Sequence, residues 1–317
     1  MNSSYIFFCN MITPSTLQSG AEIRLIAPSR WVEESLVAEA EAELAARGYA
    51  ASRSKNLMAR QGQLAGSDAQ RAEDFLEAWS DPSVKAIWAL RGGYGAQRIL
   101  SIIESRLDYT KPKWFLGFSD STAIHGLLTN HGARSLHAPL WSTFANTDQN
   151  DLEATFHVLA GQVGPIRFPS HTKDVIGVAQ GKLVGGNLSV LQTMIGTSSF
   201  PIQKGNILFI EDLDEMLYHV DRMLVHLSRS GNLDLLGGIL IGGMSDMRDN
   251  TVNFGFSAGN PFGKSIDEIL VEHVSGLNVP VAFGFPAGHG KSNHPLILGS
   301  EISIDIRTSG NVLRYLA

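Results

Sequence analysis

The sequence has almost no cysteine. Cys9 is the single thiol in 317 residues, so no disulfide can form within the chain and no cysteine-rich metal site can be built. Such usage fits a reducing compartment. Charge is scarce as well: 18% of the residues are Asp, Glu, Lys or Arg, against an average of roughly 25%. The net charge is −6 and no block of lysines or arginines occurs, which argues against a nucleic-acid partner. No stretch approaches the ~18 apolar residues of a membrane span. The apolar string "YIFFCNMI" near the start has no basic residue before it and lacks the small-residue cleavage site of a secretion signal. The expectation is a cytoplasmic protein with no membrane partner, whose residues 1–20 form a loose arm.

Apolar residues (44%) and glycine (32 residues) are what the chain has in quantity, enough for two packed domains with many tight turns. "EIRLIAPS" from Glu22 reads as a buried strand ending in a turn. "VEESLVAEAEAELAARGYA" then has amphipathic helical spacing, with Gly48 as its stop. "DAQRAEDFLEAWSDP" is a second helix, ended by Asp81-Pro82. "VKAIWAL" is a strand running into "RGGYG", and "WFLGFS" is a strand running into the helix "STAIHGLLTNHG". This alternation predicts an α/β protein with a doubly wound, mostly parallel sheet over residues 21–145. Binding sites on such sheets lie at the carboxyl ends of the strands.

Residues 146–180 are polar and rich in Gly and Pro around one short helix, and read as a linker. Residues 181–317 carry more strand than helix. The strings are "GKLVGGNLSVL", "GNILFIED", "LLGGILIGGM", "VPVAFGFPAG" and a hairpin around Ser309-Gly310. The expectation there is a β-rich, barrel-like α+β domain.

Four segments could carry chemistry. Ser119 stands between a strand and a helix, where a nucleophile gains from an exposed turn and from the free N–H groups of the helix start. The string Gly117-Phe118-Ser119-Asp120-Ser121 lacks the second glycine of a hydrolase elbow. A serine here would also serve as a helix cap, although Asp120 and Ser121 are equally suited to that. The glycines of "RGGYG", Gly92, Gly93 and Gly95, permit close backbone approach to a ligand, as phosphate site, oxyanion donor or plain tight turn. Their spacing is not the dinucleotide fingerprint. In "IEDLDE", Asp212 and Glu215 have the spacing of a capping box. Glu211 is left at the end of an apolar strand, where a carboxylate needs a partner. In "GFPAGHGKSNHPLILG", His289 has glycine on both sides and His294 is its competitor. Either histidine would equally serve as an ordinary loop residue. No zinc-binding pattern is present.

Taken together, "IAPS", "ALRGGYGAQRIL", "FLGFSDSTAIH", "LHAP", "GKLVGGNLSVL", "ILFIEDLDE…VDRML" and "GFPAGHGKSNHPLILG" resemble the LD-carboxypeptidases. This serine peptidase family includes muramoyltetrapeptide carboxypeptidase and the microcin C self-immunity peptidases. The likeness runs from about residue 22 to the C-terminus. One departure is Ala138 in "LHAP", where glycine is common. The resemblance implies a Ser-Glu-His triad of Ser119, Glu211 and His289. It also implies a Rossmann-like N-terminal domain holding the serine, and a second domain holding the other two. Backbone N–H groups of Asp120 and of Gly92 or Gly93 would hold the oxyanion. Arg91, Arg222 and Asn187 are candidates for contacting substrate, Asn187 being equally suited to cap a helix. The implied substrate is the murein tetrapeptide, cleaved before its terminal D-Ala without metal or cofactor, by an enzyme that in this family is usually a dimer. Two other readings remain open: a peptidase acting on a peptidyl-nucleotide antibiotic, and a nucleotide-binding module using "RGGYG".

Overall fold

Short apolar strands alternating with helices build a first sheet. In the computed structural model, which describes residues 11–254 and 259–316, β1 (Glu22–Ile26) leads through α1 (Glu34–Ala46) to β2 (Ala50–Arg53). Then come α2 (Asp68–Ser80), β3 (Val84–Ala89), α3 (Ala96–Ile103), β4 (Trp114–Gly117), α4 (Thr122–Asn130) and β5 (Ser135–His137). β3 is buried at every position but Lys85, as expected of a parallel strand covered on both faces. Ser67 starts α2 through a reciprocal capping box with Gln70, and Pro82 follows its end.

The middle of the chain supplies α5 (Trp141–Phe144), α6 (Gln149–Leu159), β6 (Ile166–Phe168), β7 (Gly177–Asn187) and α7 (Leu188–Thr193). The remainder supplies β8 (Ile207–Leu213), α8 (Leu217–Arg229), β9 (Gly238–Ser245), α9 (Ile266–Val274), β10 (Val281–Ala282), β11 (Leu296–Leu298), β12 (Glu301–Ile306) and β13 (Asn311–Tyr315).

The protein is thus a mixed α/β structure with two sheets. The first has the order β11-β5-β4-β3-β1-β2. β1 to β5 pair in parallel, and β11 returns from the far end of the chain as an antiparallel edge. Helices α1 and α6 pack on one face of this sheet, and α2, α3 and α4 on the other. The second sheet has the order β10-β9-β8-β7-β12-β13-β6. Its β7–β8–β9–β10 stretch is parallel and its β7–β12–β13–β6 stretch antiparallel. Among the described residues this order is open, its two end strands unpaired with each other. Helices α7, α8 and α9 cover one face. The other face packs Phe209 and Ile302 against Leu296 and Leu298 of the first sheet's edge.

Three segments differ from expectation. Residues 11–20 are not a loose arm: Ile12 bridges Ala133 and Leu17 is buried in the first core. Cys9 and the rest of that arm lie outside the described residues. The stretch 146–180 contains α6, whose Phe156 and Leu159 belong to the first core, and β6, which edges the second sheet. In "VPVAFGF" only Val281–Ala282 is strand, because Gly284 takes φ 66° and the chain then meets β9 irregularly, through Phe285 and Ala287. No helix among the described residues is long and apolar enough to cross a membrane.

Candidate active site

β4 is buried along its whole length and delivers Ser119 to the first position of a 3-10 turn, with φ 61°. A left-handed conformation costs a non-glycine residue about 1–2 kcal/mol, so surrounding structure must hold this turn. Neither the turn nor α4 has a side-chain cap. The capping role open to Asp120 and Ser121 is therefore not taken up.

Asp120 does something else. It is 3% exposed, and one carboxylate oxygen accepts from Ser29 Oγ at 2.6 Å and from the Ala96 N–H at 2.8 Å. Burial pushes its carboxyl up, opposed by those hydrogen bonds and by the charges of Arg71 and Arg30. Buried Arg71 donates to the carbonyls of Pro28 and Gly95 at 2.5 and 2.7 Å. The turns after β1, β3 and β4 are thereby tied into one unit, which is why "IAPS", "RGGYG" and "FSDS" belong together.

The glycine turn closes on the serine. A Cβ on Gly92 would lie 3.1 Å from Ser119 Cβ and 3.2 Å from its Oγ, and Gly93 has φ 107°. Among the described residues, the backbone N–H groups of Gly92, Gly93 and Asp120 donate to no protein group. Arg30 lies across Gly93, where a Cβ would come within 2.6 Å of its Cδ and Nε. Its Nε is buried without a hydrogen-bond partner among the described residues, and no carboxylate there pairs with its guanidinium.

The other substrate candidates have contacts of their own. Arg91 donates to the Trp31 carbonyl at 3.1 Å. Arg222 lies 5.1 Å from the Tyr218 ring centroid on α8. Asn187 caps α7, accepting from the Val190 N–H at 3.2 Å, and donates to Asp212 at 2.9 Å.

Glu211 is fully buried in β8, at a register shift against β9 between Ile210 and Asp212. Such an irregularity re-aims a side chain. Its Oε2 lies 2.6 Å from His289 Nδ1 and accepts from the His289 N–H at 3.1 Å. Glycine is required beside this pair. Gly288 has φ 119°, and a Cβ on it would lie 2.8 Å from Glu211 Cβ. Gly243 of β9 donates to the Ala287 carbonyl at 2.9 Å, and Ser245 Oγ donates to the His289 carbonyl. Burial disfavours the His289 imidazolium, but the hydrogen bond and charge of Glu211, helped by Asp212, outweigh it and hold its pKa above the usual value.

Asp212 is not a helix cap, since α8 starts at Leu217 with Met216 before it. It takes the Ser189 N–H at 2.9 Å. Burial, opposed by the Leu213 N–H and reinforced by the charge of Glu211, pushes its carboxyl to about 7. His294 bonds Asp151 at 3.0 Å.

The structure therefore brings Glu211 and His289 into contact and sets them beside the serine turn. The rings of Phe118 and His289 have centroids 4.6 Å apart. A cavity of about 240 Å³ opens there, lined by Phe118, Thr143, Asn146, Leu213 and His289 among others. Among the described residues no hydrogen bond joins Ser119 to His289. Arg30, His137, Asp151 and Asn293 escape a sequence reading, because nothing local distinguishes them.

Residues 23–138 match the family model of the LD-carboxypeptidase N-terminal domain, and residues 180–304 that of the LD-carboxypeptidase C-terminal domain. A protein of Synechocystis sp. whose name marks it provisionally as a carboxypeptidase is 35% identical over 298 residues, covering 93% of this chain and 95% of its own. The crystal structure of muramoyltetrapeptide carboxypeptidase from Oxalobacter formigenes superposes with a TM-score of 0.82 at 29% identity, covering 93% of this chain and 99% of that one. The microcin C7 self-immunity protein MccF superposes with a TM-score of 0.78, covering 96% and 100%. At 21% identity this last likeness shows the fold alone.

Proposed function

Because the chain belongs to the LD-carboxypeptidase family and is a serine carboxypeptidase, we propose that it removes the C-terminal D-Ala from murein tetrapeptides in peptidoglycan recycling. The observation that carries this reading is the buried Glu211–His289 pair facing a serine on a strained turn at the junction of the two sheets.

Ser119 Oγ attacks the carbonyl before the terminal D-residue while the second imidazole nitrogen of His289 takes its proton. Glu211, accepting at Nδ1, orients the ring and stabilises the imidazolium. The tetrahedral oxyanion meets the uncommitted N–H groups of Asp120 and of Gly92 or Gly93, each donor contributing about 3 kcal/mol. The imidazolium protonates the leaving amine, D-Ala departs, and water then cleaves the acyl-serine by the same proton path. The free carboxylate of the D-residue lies about one residue length, ~3.5 Å, beyond the scissile bond. Arg30 is the cation we assign to it, because it lies over the glycine turn and, among the described residues, its buried Nε has no partner. The first sheet, with the serine at the carboxyl end of β4, is read as the Rossmann-like domain.

The greater identity to a muramoyltetrapeptide carboxypeptidase than to MccF supports murein over an aminoacyl nucleotide. Mass spectrometry of a mixture of murein tri-, tetra- and pentapeptides with an aminoacyl-nucleotide amide, in excess EDTA, tests it. The tetrapeptide should lose one alanine and the others should persist. Cleavage of the nucleotide amide with the tetrapeptide intact would overturn the murein reading.

A further inference from the structure

His289 sits on the loop between β10 and β11, in the second half of the chain, yet part of its support comes from α6. Helix α6 is anchored in the first core through Phe156 and Leu159, and its first turn abuts this loop. There Asp151 is 6% exposed. Its Oδ2 accepts from Ser292 Oγ and from the Asn293 N–H, both at 2.9 Å, and its Oδ1 lies 3.0 Å from His294 Nδ1. Three groups of one loop therefore converge on one buried carboxylate, and the Asp148 N–H adds a bond to the Lys291 carbonyl at 2.7 Å.

The chain of contacts continues to the histidine. Asn293 Oδ1 accepts from the Gly288 N–H at 3.0 Å and lies 3.1 Å from His137 Nε2. Because that oxygen already accepts from Gly288, it cannot exchange places with the amide nitrogen, and His137 must donate from Nε2. Asn293 is thus fixed at its backbone by α6 and at its side chain by β5. What it fixes is Gly288, the residue whose φ of 119° lets the His289 backbone and ring reach Glu211.

We propose that Asp151 is a positioning residue for catalysis, acting through Asn293 and Gly288 to hold His289 at the working distance from Ser119. The proposal rests on the catalytic role of His289 assigned above. It makes α6 a strut by which the serine-bearing half sets the base of the other half. A displacement of about 1 Å at a catalytic group costs on the order of 10²-fold in rate, so a strut of this kind acts on kcat and leaves substrate affinity nearly untouched.

The test compares Asp151→Asn and Asn293→Ala with Glu153→Gln, whose native partner Arg47 pairs with α6 at 2.7 Å on the far side of the helix. D-Ala release from the tetrapeptide is measured below the melting transition of each variant, together with the melting temperature. Asp151→Asn should lower kcat about 10- to 100-fold with KM within about 3-fold. Asn293→Ala should do the same, and the double variant should be little worse than either single one, because both lie on one path. Glu153→Gln should shift the melting temperature with kcat unchanged. His289→Ala separates the two levels of inference. If it is inactive while Asp151→Asn has normal kcat, the strut is wrong and the triad stands. If it keeps normal activity, the triad itself is wrong. Losses in Asp151→Asn that fall on KM, or that Glu153→Gln reproduces, also overturn the strut.

Discussion

The serine half and the histidine half hold their proposed catalytic groups in different ways. Ser119 is fixed from within its own sheet, by contacts that reach as far along the chain as Ser29. A fully buried strand ends, a 3-10 turn follows, and the turns after β1, β3 and β4 are laced together by Asp120 and Arg71 within the same sheet. His289 has no strand immediately before it and no helix after it. Its place is set by Glu211, 78 residues earlier, and by a loop bonded to α6 some 142 residues earlier. A nucleophile can be presented by a turn of one sheet, because that turn determines where one hydroxyl points. A base must match a distance to two other groups, so long-range contacts must place it. Sequestering both at the junction also explains why Glu211 is fully buried: away from water its charge acts on the imidazole more strongly.

The largest effect should come from the serine half. Ser119→Ala should lower kcat for D-Ala release by about 10⁶-fold. Near-normal turnover would remove the serine from the chemistry and leave the strained turn without a purpose.

Glu211→Gln comes next, with a loss of about 10⁴-fold. His289 must be neutral to accept a proton, and Glu211 holds its pKa above the ordinary value. The acid limb of the kcat/KM profile should therefore lie above about 6.5 in the wild type and move to lower pH in the variant. A limb that stays in place would mean another group titrates there.

Stability should separate the halves by sign. Burial depresses His125 to about 3 and His137 to about 4. Both stay neutral when folded and become charged on unfolding below about pH 6.5, so their contribution is complete above 6.5 and is lost as pH falls. At pH 4 the loss is on the order of 3 kcal/mol for each. The raised His289 runs the other way: its contribution is complete below about 6.5 and fades as pH rises through its folded pKa. Hydrogen exchange across this range should loosen β4, α4 and β5 first on acidification. Protection that changes uniformly along the chain would erase the distinction.

Arg30→Gln should raise KM for the tetrapeptide about 10- to 100-fold, the scale of a charged hydrogen bond, with little change for the C-terminal amide of the same peptide. Equal effects on acid and amide would release Arg30 from the carboxylate. The smallest expected change is Gly288→Ala, which should destabilise by about 1–3 kcal/mol, because an alanine there must keep φ near 119° and meet Glu211.

Much of the site was legible because its signals are local. "FLGFSDSTAIH" reads as strand, turn and helix from hydrophobic run and capping residues, and that is its structure. Gly288-His289 reads as a special backbone position because only glycine tolerates φ 119° at such close range. The expected capping box at Asp212 failed for a physical reason. The same carboxylate is needed to bond Asn187 and the start of α7, and tertiary demand overrode the local pattern. Arg91 and Asn187 were named on chemistry alone, and the structure adds one contact for each, to the Trp31 carbonyl and to Asp212.

Local residue patterns carry the strand-turn-helix around Ser119, the glycines at 92, 93 and 288, and the strand that takes Glu211 inward. Tertiary packing adds the 2.6 Å contact of Glu211 with His289, the place of Arg30 over the glycine turn with its Nε unpartnered among the described residues, and the bracing of the histidine loop by α6. The reason is range. Turn and strand preferences act over a few residues and are written in them, whereas a hydrogen bond across 78 or 142 residues exists only once two sheets have packed and fixed the path between its ends.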